Sequence, residues 1–212
     1  MTRVKVCGIT ALEDALGAVA AGADALGFIF VEGTPRFVTP EQVAPIVRAL
    51  PPFVTPVGVF WDHPRGHVKA VAQSCGLQAL QLHGDEGLDE VEGYEWPVIK
   101  TVKLPPASPG AAVVPPGVAA YRARGVAAVL LDSAARWSEG EARDPIAWDV
   151  ARACAEGGPV VLSAGLTPDN VARAVAVARP WAVDVNSGVE ARPGRKDAEK
   201  VRRFVAAAKS AR

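Results

Sequence analysis
The chain has 212 residues, 50% of them hydrophobic and 22% charged, which fits one globular core over 1–212 and excludes a disordered chain. Its 23 basic residues balance 23 acidic ones with no like-charge run, so charge points to neither nucleic acid nor a membrane surface. No apolar stretch approaches the roughly 18 residues of a membrane-spanning helix.

The opening "MTRVKVCGIT" reads as a strand, not a signal peptide. "RVKVCG" (3–8) is the first strand, followed by a helix over "ALEDALGAVAAG" (11–22) with apolar positions at Leu12, Leu16 and Val19 and a closing Gly22. "ALGFIF" (25–30) is the second strand. Thr39 and Pro40 open the next helix over "EQVAPIVRAL", with Pro45 in its first turn or just past it, where a missing N–H costs least. Strand three is "TPVGVF" (55–60), helix three spans 64–76 and strand four is "ALQLHG" (79–84). A short helix over "GLDEVEGY" (87–94) is expected next, then strand five, "PVIKTVKL" (97–104). A Pro-rich connection leads to a helix over 118–125, and "AAVLLDS" (127–133) is strand six. A helix over 146–158, strand "PVVLSAG" (159–165), a helix from Thr167 over 167–178, strand "AVDVNSG" (182–188) and a helix over 197–210 complete the pattern.

Eight strand–helix units alternate, and the strands are short, apolar and rich in Val, Leu and Ile, as in a parallel sheet buried on both faces. The fold expected is α/β, a single-domain (β/α)8 TIM barrel. An open doubly wound sheet is the alternative, but neither GxGxxG nor GxxxxGK[ST] is present to support it.

In such a barrel, working residues stand at the carboxyl ends of the strands. Those positions hold Lys5 and Cys7, Arg36, Trp61 and Asp62, Gln81 and His83, Asp132, the stretch Ser163 to Gly165, and Asp184 with Asn186, Ser187 and Gly188. Small residues after strands seven and eight, "SAGL" and "NSGV", let backbone N–H groups approach an anion, which suggests a phosphorylated small molecule. Cys75 and Cys154 sit in apolar helices and read as packing. Three cysteines without a CxxC pair argue against disulfides and zinc, and fit a reducing cytoplasm. His63 and His67 share an i, i+4 spacing, but Pro64 and Gly66 lie between them and no third ligand is evident, so no metal is expected. Asp14, Asp169 and Asp197 stand near helix starts and read as caps or dipole partners.

"KVCGIT", "GTPRFV", "VGVF", "LQLHGDE", "LLDS", "LSAGLTPDNV" and "VDVNSGVEARPGRKD", in that order, resemble the phosphoribosylanthranilate isomerase family from residue 3 to about residue 204. The resemblance implies a cofactor-free Amadori rearrangement of an aminoaldose to a ketose, in tryptophan biosynthesis, by a protein that is a monomer or a homodimer. It implies Cys7 as general base and Asp132 as general acid, and Arg36 as holder of the anthranilate carboxylate. Asp184 falls near the anthranilate side, Gln81 and His83 line the mouth as further substrate contacts, and Gly165, Ser187 and Gly188 offer donors to the phosphate. Lys5, two residues before Cys7, points to the same face of its strand. It either places an ammonium beside the thiol or pairs with a carboxylate lower in the barrel.

Two departures from the family pattern stand out. After strand six the chain reads "AARWSEGEARDPIAW", with only Gly140 where the family is glycine-rich, so Trp137 or Arg136 is expected to help cover the substrate. Strand seven carries Ala164 where glycine is commoner. Two other readings remain. A histidine-pathway aminoaldose isomerase uses carboxylates at both catalytic strand ends, which Cys7 argues against. A non-catalytic barrel binding a phosphorylated ligand is opposed by the Cys7/Asp132 pair.

Overall fold
The computed structural model describes residues 1–104, 113–133 and 146–211, and eight parallel strands close into one barrel in sequence order. They are β1 (Arg3–Cys7), β2 (Ala25–Ile29), β3 (Thr55–Phe60), β4 (Ala79–Leu82), β5 (Val98–Leu104), β6 (Ala128–Ser133), β7 (Val160–Leu162) and β8 (Ala182–Val185). Helices α1 (Leu12–Ala20), α2 (Pro40–Arg48), α3 (Arg65–Cys75), α4 (Pro116–Ala123), α5 (Trp148–Glu156), α6 (Val171–Ala178) and α7 (Ala198–Ser210) follow every strand but β4. Between β8 and α7, strands β9 (Glu190–Arg192) and β10 (Arg195–Lys196) make an antiparallel ribbon. No helix among the described residues is long and apolar enough to cross a membrane.

The strands alternate as a closed parallel sheet requires. Val4, Val6, Leu26, Phe28, Leu80, Leu82, Val129 and Leu131 face the helices and join one continuous core that includes Cys75 and Cys154. The other set faces inward. Ala128, Leu130, Val161 and Ala182 pack together in one interior cluster, and Cys7, Ile29 and Val59 in another. Lys5, Gln81, Thr101, Asp132 and Asp184 are also buried, so the lumen is unusually polar for a packed barrel.

Three local expectations need correction. Helix α1 buries Asp14, Ala15 and Ala18 and leaves Leu12 and Leu16 exposed, because only small residues fit where it meets the barrel. Pro45, as expected, falls just past the first turn of α2, as its sixth residue, on the exposed face. Helix α6 begins at Val171, and the turn before it is closed by Asn170 and Val171 N–H groups donating to the Thr167 carbonyl. No helix forms over 87–94. A buried carboxylate takes over that connection: Glu86 Oε1 accepts from the Asp62 and Gly84 amides at 3.0 and 3.1 Å, and Glu86 Oε2 meets buried Lys100 at 2.7 Å. Lys100 also donates to the Gly84 carbonyl at 2.8 Å, and Tyr121 donates to the Glu86 carbonyl at 2.8 Å. Gly84 lies so close to the Asp62 carboxylate that a side chain there would collide with it. The network pairs the backbone amides of Asp62 and Gly84 and the carbonyls of Gly84 and Glu86, just before the segment.

Of the three aspartates near helix starts, Asp197 is a cap, accepting from the Glu199 and Lys200 amides. Asp14 reaches away to accept from the Lys196 amide at 3.1 Å, and Asp169 pairs with Arg203.

Candidate active site
The carboxyl ends of the strands surround a cavity of about 620 Å³. Cys7, Arg36, Gln81, His83, Asp132, Gly165, Asp184, Ser187 and Gly188 all line it, so the strand-end residues expected to act on the substrate meet in one place, whereas Trp61 and Asp62 do not line it and Asp62 borders a second pocket with His63 and Glu86.

On one side stands the thiol. Lys5 and Cys7 leave β1 on the same face, and both are buried. Lys5 Nζ pairs with Asp184 Oδ1 across the β1–β8 seam at 2.8 Å, and its charge also acts on the Cys7 sulfur. Both readings of Lys5 therefore hold at once. The second Asp184 oxygen accepts from Ser163 Oγ at 3.3 Å. Burial pushes the Cys7 thiol above its ordinary value; Lys5 and Lys196 pull it down and Asp184 pushes it up, with the net effect upward. Burial works against the Lys5 charge too and is the largest single influence, but Asp184 and Cys7 together outweigh it and hold the ammonium above its usual range.

Three strands away around the barrel from the thiol, β6 delivers Asp132. Its Oδ1 accepts from the Ser133 amide at 2.8 Å and its Oδ2 lies 3.3 Å from His83 Nε2. His83 Nδ1 is 3.0 Å from Gln81 Nε2 and 3.0 Å from Thr101 Oγ1. An amide nitrogen only donates, so with this Gln81 orientation Nδ1 accepts and Nε2 carries the hydrogen toward Asp132. His83 and Gln81, expected as substrate contacts, thus also form a chain that ends on Asp132.

Arg36 arrives from the β2–α2 connection and is buried. Glu190 on β9 grips it through two bonds, Nε to Oε1 at 2.8 Å and Nη2 to Oε2 at 2.5 Å. Lys196 on β10 also meets Glu190, at 3.0 Å. Burial raises the Glu190 carboxyl, but Arg36 and Lys196 outweigh it and the net shift is downward; burial likewise lowers Lys196, with Glu190 opposing. The turns after β7 and β8 line the same cavity as Arg36. Ala164 and Gly165 both adopt left-handed backbone, at φ 63° and 61°, so the chain turns sharply after β7 where it lines the cavity. Gly188 packs directly on the Leu166 carbonyl, where no side chain fits, so the turns after β7 and β8 are locked together.

Sequence reasoning assigned no role to Glu190, Lys196 or Thr101. Glu190 and Lys196 lie inside the quoted "VDVNSGVEARPGRKD", but Glu190 is 154 positions from Arg36, and no local spacing signals such a pair. His63 and His67 stack with centroids 5.1 Å apart, and His63 Nδ1 accepts from the Trp61 amide. Among the described residues no group of three His, Cys, Asp or Glu is arranged to hold a metal ion. Arg136, Trp137 and Gly140 lie outside the described residues.

Residues 4–207 match the family model described as N-(5'phosphoribosyl)anthranilate (PRA) isomerase. A curated relative of that name from Geobacter metallireducens is 48% identical over 210 residues, covering 99% of this chain and 100% of its own, and one from Pseudomonas aeruginosa is 45% identical over 99% of this chain. Among solved structures, the Thermus thermophilus phosphoribosyl anthranilate isomerase superposes with a TM-score of 0.84 at 40% identity, each chain 99% covered. A phosphoribosyl anthranilate isomerase in complex with reduced 1-(o-carboxyphenylamino)-1-deoxyribulose 5-phosphate superposes at 0.80 with 39% identity, again with 99% of each chain covered. With the barrel, the clustered strand-end residues and these matches along nearly its whole length, the chain belongs to the N-(5'phosphoribosyl)anthranilate (PRA) isomerase family.

Proposed function
We propose that this protein converts N-(5-phosphoribosyl)anthranilate to 1-(2-carboxyphenylamino)-1-deoxyribulose 5-phosphate in tryptophan biosynthesis, with Asp132 as general acid and Cys7 as general base. The observation that carries the reading is the pairing of a thiol beside an ammonium with a buried carboxyl on the other side of the same cavity.

The chemistry runs in three steps. Protonated Asp132 gives its proton to the furanose ring oxygen, and the C1′–O bond breaks to leave a C1′=N iminium. Cys7 thiolate takes the proton from C2′, and that electron pair forms the C1′=C2′ bond while the iminium π pair returns to nitrogen. The enolamine then loses the C2′ hydroxyl proton and gains one at C1′, giving the ketone. No net proton is consumed and no cofactor enters. The thiol, pushed up by burial when the site is empty, is brought toward ionisation by the positive charge of the iminium beside it, added to that of Lys5.

Binding follows the cavity's polarity. Arg36 meets the planar anthranilate carboxylate, for which a guanidinium fork is suited. Gly165, Ser187 and Gly188 receive the phosphate through backbone donors. Asp184 keeps Lys5 beside the thiol, and His83 with Gln81 orients Asp132. The substrate is fluorescent, so its loss is followed directly when it is generated in situ. Fast decay with wild type and a kcat lower by about 10²–10⁴ in Cys7→Ser is the expected result. Near-full turnover in Cys7→Ser would remove the base assignment, and no decay with folded wild type would remove the substrate.

A further inference from the structure
Arg36 stands on a connection with little structure of its own, tied to the sheet by one bridge between Ile29 and Phe37. A long side chain there needs an external anchor if its guanidinium is to meet a ligand in a fixed orientation. The β9–β10 ribbon supplies one. Glu190 takes the Nε/Nη2 edge of Arg36 and is itself fixed by Lys196 Nζ at 3.0 Å and the Gly194 amide at 3.2 Å. The ribbon is pinned in turn. Thr10 donates to the Gly194 carbonyl at 2.5 Å, the Lys196 amide donates to Asp14, and Lys200 donates to the Glu190 carbonyl at 2.9 Å. Its turn lies against the connection that bears Arg36, since a side chain at Gly194 would come within 2.9 Å of the Pro35 carbonyl. Two cations share one carboxylate, so the cluster keeps a positive charge for an incoming anion while the guanidinium plane is set by Glu190.

We propose that Glu190 is a positioning residue: from the β9–β10 ribbon it fixes Arg36 and thereby makes recognition of the substrate selective for an aryl carboxylate. This rests on the assignment of Arg36 to that carboxylate. Glu190 itself touches no substrate.

The test is a comparison of two ligands by titration calorimetry: reduced 1-(o-carboxyphenylamino)-1-deoxyribulose 5-phosphate and its counterpart without the carboxyl group. Wild type, Arg36→Met and Glu190→Gln are measured, together with Glu190→Gln/Lys196→Met, which removes one buried charge of each sign and keeps the comparison available if the single variant fails to fold. Loss of a charge-assisted pair corresponds to about 10- to 100-fold. The Glu190 variants should weaken binding of the carboxylated ligand by that factor and leave the carboxyl-free ligand within about threefold, imitating Arg36→Met. Equal weakening of both ligands would mean a merely structural role and overturn the proposal, as would unchanged binding of the carboxylated ligand while Arg36→Met loses it. If Arg36→Met itself binds the carboxylated ligand as wild type does, the Arg36 assignment falls and the proposal falls with it.

Discussion

Replacing Gly27 with alanine tests the geometry of the proposed base most sharply. Gly27 is the register partner of Cys7 across the β1–β2 seam. An added Cβ would lie 2.7 Å from Cys7 Sγ, 2.9 Å from Lys5 Nζ and 3.1 Å from Cys7 Cα. Unstrained heavy-atom contacts fall near 3.5–4.0 Å, so the thiol must retreat by at least about 0.8 Å and the ammonium by at least about 0.6 Å. Gly27 is not among the glycines with left-handed backbone, so alanine brings no conformational strain. What remains is overpacking, typically about 1–3 kcal/mol, which a domain of about 5–15 kcal/mol survives. A misplacement of about 1 Å, in contrast, costs on the order of 10²-fold in rate. Gly27→Ala should therefore fold, keep KM within about threefold because the Arg36 and phosphate contacts sit on other elements, and lose about 10²-fold in kcat. Separating Lys5 from the thiol also moves the pH midpoint of iodoacetamide alkylation of Cys7 further alkaline. Wild-type kcat together with an unchanged alkylation profile would refute the reasoning, since β2 would then be yielding in place of the thiol.

Three further outcomes follow from the same contacts. Asp132→Asn should lower kcat by about 10²–10⁴ with little change in KM, and steady-state kinetics giving a loss mainly in KM would reassign Asp132 to binding. Arg36 and Lys196, outweighing burial, hold the Glu190 carboxyl below its ordinary value of 4.5, so its contribution to stability is fully present above 4.5 and is lost as pH falls through the lower folded value. The melting temperature of wild type should thus drop more steeply below pH 4.5 than that of Glu190→Gln, and parallel acid limbs would contradict the pairing. Lys100→Met leaves Glu86 buried without its cation, and breaking a buried pair in this way costs about 3–5 kcal/mol; a urea midpoint implying under about 1 kcal/mol would show that the β4–β5 connection does not depend on it.

The barrel was legible because two independent periodicities agreed. Short apolar runs of Val, Leu and Ile recur with helical segments between them, and a parallel sheet with both faces covered is the natural closure for such strands. The illegible places are those where tertiary contacts override local pattern. Leu12 and Leu16 make an apolar stripe, yet α1 turns its alanines inward because the sheet allows only a close approach there. A short helix is expected over residues 87–94, but the segment forms turns, and the connection is anchored at its start by Glu86, which pairs with Lys100 on β5.

The candidate site was legible for a different reason. Once the strands are parallel and closed, their carboxyl ends must converge, so residues as distant as Cys7 and Ser187 can be placed together without knowing one contact between them. Convergence says nothing about which polar group answers which. Asp184 reads from its position as a substrate contact and lines the cavity, but its position alone does not show that its two oxygens also hold Lys5 and Ser163. That arrangement decides the character of the thiol. An unopposed Lys5 charge would draw Cys7 toward ionisation in the empty site; Asp184 offsets it, and burial keeps the sulfur protonated at rest. A thiol held in this way resists adventitious oxidation and alkylation, which act on the thiolate, and in the proposed reaction it would turn base only when the substrate's own cation arrives. Asp184→Asn should therefore alkylate faster at neutral pH while turning over more slowly, a pair of opposite changes that loss of a simple binding contact would not produce.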